Sequence, residues 1–226
     1  MRINVLQHTP NEGPGAIKSW ANKNNHEIYV YHPETFNHLP TVDDTDLLVI
    51  LGGPMSPNDD VDWIIQERKL IKQMLKLCKP IFGACFGAQQ IAKALGYKVL
   101  DAPHKEVGWA PVYLQDKTIP DIPKKLTALH WHQQMFEIPK EAKLLFSSDL
   151  VQNQGFLLYD NVIGLQFHFE PEEDDLREIA INDQEYPEDK NDLNQTYYDI
   201  LKHGVPVENK DVMFKLLDFI TSKNKK

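Results

Sequence analysis

Cysteine, positive charge and long hydrophobic runs are all scarce in this sequence of 226 residues. Its two cysteines, Cys78 and Cys85, are too few for a disulfide framework or a four-thiolate zinc site. Lys and Arg total 24 against 33 Asp and Glu, so the formal net charge is −9, and we expect no nucleic-acid partner. No apolar run approaches the ~20 residues that a membrane helix needs. We therefore expect a cytoplasmic protein with no membrane contact.

The sequence also lacks internal repeats and a Gly-x-x-x-x-Gly-Lys-Ser/Thr phosphate-binding loop. Its length suits one α/β domain, although length alone also permits two small ones. A hydrophobic content of 42% is ample for a core. Because no shift in composition marks a boundary, we expect a single domain over residues 1–226.

The first half of the sequence alternates between apolar runs and helical patterns. Strands are predicted at 2–6, 27–31 and 46–51, and helices at about 16–23 and 62–77. Strand and helix in this alternation predict a doubly wound, mostly parallel α/β sheet, in which functional loops lie at the carboxyl ends of the strands.

Beyond residue 96 the pattern changes to short strand-like segments separated by turns. These segments are 97–100, 108–114, 144–148, 155–159 and 162–167. They predict a small mixed or antiparallel extension of the sheet. The acidic, proline-containing stretch 170–194 follows with no predicted element before about 193. Helices are then predicted at about 193–203 and 211–222.

Residues 79–92 predict a strand, a sharp turn and a helix, with Cys85 at the turn. Gly83 and Gly87 lie two residues before and after it. A strained turn favours glycine at such positions, because a larger side chain would clash with the neighbouring backbone. The N-terminus of the following helix favours a thiolate, so Cys85 is a candidate nucleophile. Taken alone, the stretch also fits a buried packing cysteine in a βα unit.

His168 and Glu170 fall on the same face of the segment 162–170, opposite its apolar side chains. A carboxylate in this position can hold an imidazole in one tautomer and stabilise its cation, which is how a general base is oriented. The pattern alone equally fits a histidine at the rim of an acidic segment.

Gly52-Gly53-Pro54 follows the third predicted strand. A glycine loop at a strand end can present backbone amides to a tetrahedral intermediate without obstruction by side chains. An ordinary strand-to-loop turn is the alternative for this tripeptide.

His130 and His132 alternate on one strand face and could hold a metal ion. No third ligand stands at a suitable spacing in the sequence. We therefore expect no metal and no other cofactor.

Two of these stretches resemble the signatures of class I (triad-type) glutamine amidotransferases. Gly83-Ala84-Cys85-Phe86-Gly87-Ala88-Gln89 is similar to their Gly-x-Cys-x-Gly-x-Gln nucleophile elbow. Gln166-Phe167-His168-Phe169-Glu170 is similar to their Gln-Phe-His-Pro-Glu signature, with Phe169 in place of proline. Further segments resemble stand-alone proteins like the glutaminase portion of GMP synthase: Gln7-His8, Glu12–Gly15, Gly52–Ser56, Glu106–Trp109 and Trp131-His132.

The resemblance implies a flavodoxin-like sheet of the amidotransferase type and a set of site residues. These are a triad of Cys85, His168 and Glu170, oxyanion-hole amides from Gly53 and Phe86, and substrate contacts from Gln89, Gln133 and Gln134. In the family, an acidic residue is common in the stretch that holds Gln133 and Gln134.

The resemblance implies hydrolysis of the γ-carboxamide of glutamine through a glutamyl thioester. The ammonia would then pass to a separate synthase protein, if such a partner exists. Two alternatives stay open: a γ-glutamyl peptidase that acts on peptides or conjugates, and a non-catalytic protein that binds a γ-glutamyl ligand. The leaving group and the oligomeric state are not predicted by any motif.

Overall fold

The computed structural model describes residues 1–222, so the last four residues of the predicted domain 1–226 lie outside the described residues. Its strands are β1 (Arg2–Leu6), β2 (Glu27–Tyr31), β3 (Leu47–Ile50), β4 (Ile81–Ala84), β5 (Val99–Leu114), β6 (Lys125–Phe136), β7 (Ala142–Ser147), β8 (Gly155–Leu158) and β9 (Val162–Leu165). Its helices are α1 (Gly15–Lys23), α2 (Pro33–Phe36), α3 (Asp62–Lys76), α4 (Phe86–Ala94), α5 (Glu173–Asn182), α6 (Glu185–Glu188), α7 (Tyr197–His203) and α8 (Val207–Ser222).

All these strands join one sheet in the order β2-β1-β3-β4-β9-β8-β7-β5-β6. The strands β2, β1, β3, β4 and β9 pair in parallel, in the flavodoxin-like order. From β9 to β6 every pairing is antiparallel. The predicted α/β fold class is therefore confirmed, with an antiparallel part that contains the two longest strands.

The parallel strands are buried on both faces. In β3, Leu47 and Val49 join the core that α1 and α8 cover, whereas Leu48 and Ile50 join the core that α3 and α4 cover. This two-sided burial explains why the strand is an unbroken aliphatic run in the sequence. The carboxyl ends of β1, β3, β4 and β9 consequently open onto one edge of the sheet.

The antiparallel part differs most from the sequence predictions. The segments 97–100 and 108–114 are not two separate strands. Residues 99–114 form the single strand β5, which is continuous across a register shift between Asp101 and Glu106. Pro103 and the charged residues at this shift interrupt the strand pattern in the sequence. For its partner β6 the sequence predicts only a strand face at His130 and His132, although the two strands pair along most of their length.

The stretch 170–194 contains α5 and α6, where no element is predicted. A capping box from Glu172 and Asp175 begins α5, which packs with α7 against β5 and β6.

The bounds of three further elements differ from the predictions. The two last helices begin at Tyr197 and Val207, and β9 ends at Leu165, before the predicted residue 167. Within residues 1–222, no helix combines the length and the apolar character needed to cross a membrane.

Candidate active site

Cys85 occupies a strained turn between β4 and α4, with φ 47° and ψ −109°. Both flanking glycines are sterically required: a methyl group on Gly87 would overlap the carbonyl of Ile50, and one on Gly83 would lie 2.6 Å from the carbonyl carbon of Gly87. The Cys85 N–H donates to the Leu165 carbonyl at 2.7 Å, which anchors the turn to β9. This turn has the geometry of a nucleophile elbow.

The thiol of Cys85 is surrounded by polar groups of two other segments. Its Sγ lies 3.8 Å from the carbonyl oxygen of Trp131, and the amide Nε2 of Gln166 approaches Sγ at 3.6 Å. The Oε1 atom of Gln166 accepts from Nε2 of Gln89 at 3.2 Å. Gln166 therefore links the thiol to a predicted substrate-binding residue, a role that the sequence does not reveal.

His168 and Glu170 form a buried pair close to the elbow. Nδ1 of His168 donates to Oε1 of Glu170 at 2.5 Å, and the backbone of His168 pairs with Leu129 of β6 through two hydrogen bonds. Burial lowers the pKa of His168, but the charge of Glu170 and the nearby thiol of Cys85 outweigh it and raise this pKa well above its usual value. The pair can thus hold a proton beside the thiol.

A second buried histidine supports the loop at Gly52-Gly53. His8 donates from Nδ1 to the Gly52 carbonyl at 3.0 Å and from Nε2 to Glu67 at 2.8 Å. With Glu67 ionised, both bonds form together when the imidazole is protonated. Burial lowers the pKa of His8, but Glu67 overcomes this effect and raises it. The ring of His8 also packs edge-on against Phe86, so it braces both predicted oxyanion-hole segments.

A cavity of about 390 Å³ opens at the elbow. The predicted site residues that line it are Cys85, Gly53, Gln89, Gln133 and Gln134. His168, Glu170 and Phe86 lie behind the wall and are almost fully buried. The structure therefore brings all the predicted site residues to one place, with the nucleophile candidate exposed to the cavity and its partners shielded from solvent.

The segment of α5 and α6 forms another wall of the cavity, which the sequence analysis misses. Asp183 and Tyr186 line it, and Trp131 Nε1 of β6 donates to Asp183 Oδ2 at 2.8 Å. The rings of Trp131 and Tyr186 lie 5.9 Å apart, and Lys105 Nζ lies 3.9 Å from the centre of the Tyr186 ring. Asp183 is one acidic residue among many in this stretch, so the sequence offers no signal that selects it.

The expectation that His130 and His132 lack a third potential ligand is wrong. Oε2 of Glu106 lies 3.5 Å from His130 Nδ1 and 3.2 Å from His132 Nε2, which makes these three a possible metal-binding group among the described residues. Glu106 also accepts hydrogen bonds from Ser148 and Gln154. Burial raises the pKa of Glu106, but the two imidazoles lower it far below its usual range. This hydrogen bonding accounts for the buried carboxylate without an ion.

The chain is an α/β protein with a flavodoxin-like sheet, and it carries a cysteine at the strand–turn–helix unit known as a nucleophile elbow. The profile of the glutamine amidotransferase class-I family matches residues 16–180, and the chain belongs to this family.

Three curated relatives show the breadth of the similarity. The glutamine amidotransferase-like protein YfeJ of Salmonella typhimurium is 32% identical over 183 residues, which are 75% of this chain and 76% of that protein. Gamma-glutamyl peptidase 4 of Arabidopsis thaliana is 31% identical over 58% of this chain and 56% of its own length. A glutamine-hydrolyzing GMP synthase subunit from Sulfurisphaera tokodaii is 28% identical over 55% of this chain and 67% of its own length.

The fold also matches a solved structure over nearly its whole length. The crystal structure of a glutamine amidotransferase from Thermotoga maritima superimposes with a TM-score of 0.88 and covers 98% of both chains, at 24% identity. This likeness supports the fold assignment alone.

Proposed function

We propose that this chain hydrolyses the γ-amide bond of glutamine or of another γ-glutamyl compound. Cys85 is the nucleophile, His168 the general base and acid, and Glu170 the residue that orients His168. The observation that carries the proposal is the turn at Cys85, whose backbone at φ 47° and ψ −109° holds the thiol at the cavity beside the buried His168–Glu170 pair. A packing cysteine would need neither the strain nor the neighbouring base.

In the first half of the reaction, His168 takes the proton of Cys85 and Sγ attacks the γ-carbonyl carbon. The amides of Gly53 and Phe86 stabilise the oxyanion that forms. Phe86 is suited to this because it is the first residue of α4, so its N–H has no intrahelical acceptor. The C–N bond then breaks, His168 gives its proton to the leaving amine, and the glutamyl group remains on sulfur as a thioester.

In the second half, water replaces the amine. His168 removes a proton from the water, the resulting hydroxide attacks the thioester carbonyl, and the C–S bond breaks. His168 returns the proton to the thiolate, so the net reaction consumes one water and releases glutamate and an amine. Gln89, Gln133 and Gln134, which line the same cavity, are proposed to hold the glutamyl end of the substrate.

The leaving group distinguishes two uses of this reaction. With glutamine, the product is ammonia for a separate synthase protein, and the similarity to the GMP synthase subunit of Sulfurisphaera tokodaii supports this use. With a γ-glutamyl peptide or conjugate, the amine is released and no partner is needed, as the similarity to gamma-glutamyl peptidase 4 suggests. The nucleophile and base argue against the third alternative, a protein that only binds γ-glutamyl ligands.

The proposal is tested by measuring glutamate release by the purified chain from glutamine and from γ-glutamylglycine. Cys85→Ala removes the nucleophile. Cys78→Ala is the matched control, because Cys78 is exposed and does not line the cavity. We expect release by the natural chain and by Cys78→Ala, and none by Cys85→Ala. Undiminished release by Cys85→Ala, or none by the natural chain from either substrate, would contradict the proposal.

A further inference from the structure

Glu12 is a cavity residue to which the proposed reaction gives no role. It belongs to the loop between β1 and α1 and lines the cavity together with Cys85. A methyl group on Gly52 would overlap Oε2 of Glu12 and would lie 3.0 Å from Cε1 of His168. The Glu12 carboxylate is therefore close to the imidazole that, under the proposed function, protonates the leaving amine.

Within residues 1–222, no positively charged side chain forms an ion pair with Glu12. The two imidazoles whose charges act on it are each bound to another carboxylate: His8 to Glu67 at 2.8 Å, and His168 to Glu170 at 2.5 Å. Within residues 1–222, no ion pair or side-chain hydrogen bond includes the Glu12 carboxylate. Burial raises the pKa of the half-buried Glu12, and the charge of Glu170 adds to this effect, so an ammonium group placed against the carboxylate would stabilise its charged form.

The rest of the cavity reinforces this negative charge. Asp183 is the other charged residue among those that line it, and no Lys or Arg of the described chain is among them. Lys105 approaches the Tyr186 ring and lies 3.8 Å from Asp189, outside the cavity wall. The cavity therefore disfavours an anionic leaving group and favours a cationic one.

The cavity has room for more than glutamine. Its volume of about 390 Å³ lies within the range of pockets that bind drug-sized ligands, about 300–1,000 Å³, and glutamine is smaller than such ligands. Thr9 lines the same cavity, and its buried hydroxyl has no hydrogen-bond partner in the described part of the chain. Space and an unpaired polar atom thus accompany the unpaired carboxylate.

We infer that Glu12 is a specificity residue that binds a positively charged group in the leaving amine. The preferred substrates are then γ-glutamyl amides of diamines or similar basic amines. The inference rests on the proposed function and names the substrate class for the same site. The C–N bond breaks and the leaving nitrogen takes its proton from His168 as before, while the second ammonium group stays protonated against Glu12.

Three matched conjugates test the inference: γ-glutamyl amides of 1,4-diaminobutane, pentylamine and 5-aminopentanoate, which end in an ammonium, a methyl and a carboxylate group. Calorimetry with the Cys85→Ala protein measures their binding without turnover. A charge-assisted contact predicts at least about tenfold tighter binding of the diaminobutane conjugate than of either other conjugate. Glu12→Gln in the same background should reduce this preference to about twofold or less, whereas the exposed control Glu178→Gln should keep it.

Equal or weaker binding of the diaminobutane conjugate, or a preference that survives Glu12→Gln, would overturn the inference. Hydrolysis of the three conjugates by the natural chain separates this result from the proposed function. Cysteine-dependent hydrolysis without the charge preference would overturn the subsite alone. A charge preference in binding, with no hydrolysis of the conjugates, of glutamine or of γ-glutamylglycine, would overturn the proposed reaction and support the subsite. Failure of all three conjugates to bind would overturn the subsite, and the proposed reaction would then stand or fall on the hydrolysis of glutamine and γ-glutamylglycine.

Discussion

The two regions of the sheet contribute to the cavity in different ways. The parallel region, formed by β1 to β4 and β9 with the loops at their carboxyl ends, contributes backbone turns: the Cys85 elbow and the glycine loop that His8 supports. The antiparallel region, formed by β5 to β8 with α5 to α7, contributes side chains such as Trp131, Gln133 and Asp183. The proposed chemistry therefore depends mainly on the first region, and the second region supplies one wall of the cavity.

This difference predicts that substitutions in the two regions have different effects. Apart from Glu12, whose replacement should change substrate preference, changes near the carboxyl ends of the parallel strands should lower the rate of the chemical step or the stability of the core. Changes in the antiparallel region should alter substrate affinity and leave the chemical step almost intact. Three variants test this division, beginning with the largest expected effect.

Glu170→Gln removes the carboxylate that orients His168 and stabilises its cation, so we expect kcat to fall by about 10²–10⁴-fold. Steady-state kinetics on glutamine and γ-glutamylglycine measures the change. Asp174→Asn is the control, because Asp174 lies in the same acidic stretch but its side chain is almost fully exposed. A kcat within about threefold of the natural value would place the orienting group elsewhere.

Glu67→Gln should lower the free energy of unfolding by about 3 kcal/mol near pH 6, because it leaves the buried His8 without its counter-charge. Since the pKa of His8 is raised in the folded state, this stabilisation is fully present below its usual pKa of about 6.5. It is lost as the pH rises through the raised value. Denaturant unfolding at about pH 6 and pH 9 should therefore show a smaller difference at the higher pH.

The control for Glu67→Gln is Lys210→Gln, which breaks the partly exposed ion pair with Glu172. Such a pair contributes about 1 kcal/mol or less, and the loss should be similar at both pH values. An effect of Glu67→Gln that is small or independent of pH would show that His8 does not carry the charge assigned to it.

Trp131→Phe deletes the hydrogen bond between β6 and Asp183, so the α5–α6 wall loses one of its attachments. We expect KM to rise about tenfold, equivalent to ~1.4 kcal/mol, with kcat within about twofold. Trp109→Phe also deletes one indole hydrogen bond, to the Ile200 carbonyl outside the cavity, and should leave KM unchanged. A fall in kcat alone would contradict the division between the two regions.

The parallel and antiparallel regions also differ in how much of them the sequence could predict. The elbow is a local feature, because glycines two residues on either side of Cys85 already indicate the close approaches that Gly83 and Gly87 make. The alternation across 162–170 likewise indicates the shared side of His168 and Glu170, even though β9 ends at Leu165. Patterns of a few residues are sufficient where a turn or a strand face decides the geometry.

The antiparallel region depends instead on contacts between distant segments. Glu106 meets His130 and His132 only because the register of β5 and β6 places it opposite His132, and no local pattern specifies that register. Asp183 and Glu12 are ordinary acidic residues in an acidic chain. Their places in the cavity follow from how α5 and the first loop pack, which spacing along the sequence does not reveal.

The hydrogen bond from Cys85 to Leu165 also affects when the site can assemble as the chain is synthesised. It connects the Cys85 turn to β9. His168, which follows β9, pairs in turn with Leu129 of the antiparallel region. During synthesis, Cys85 therefore emerges long before the strand that holds its turn and before His168 itself. A partly synthesised chain carries Cys85 without His168, so these two residues come together only when almost the whole sheet has been made.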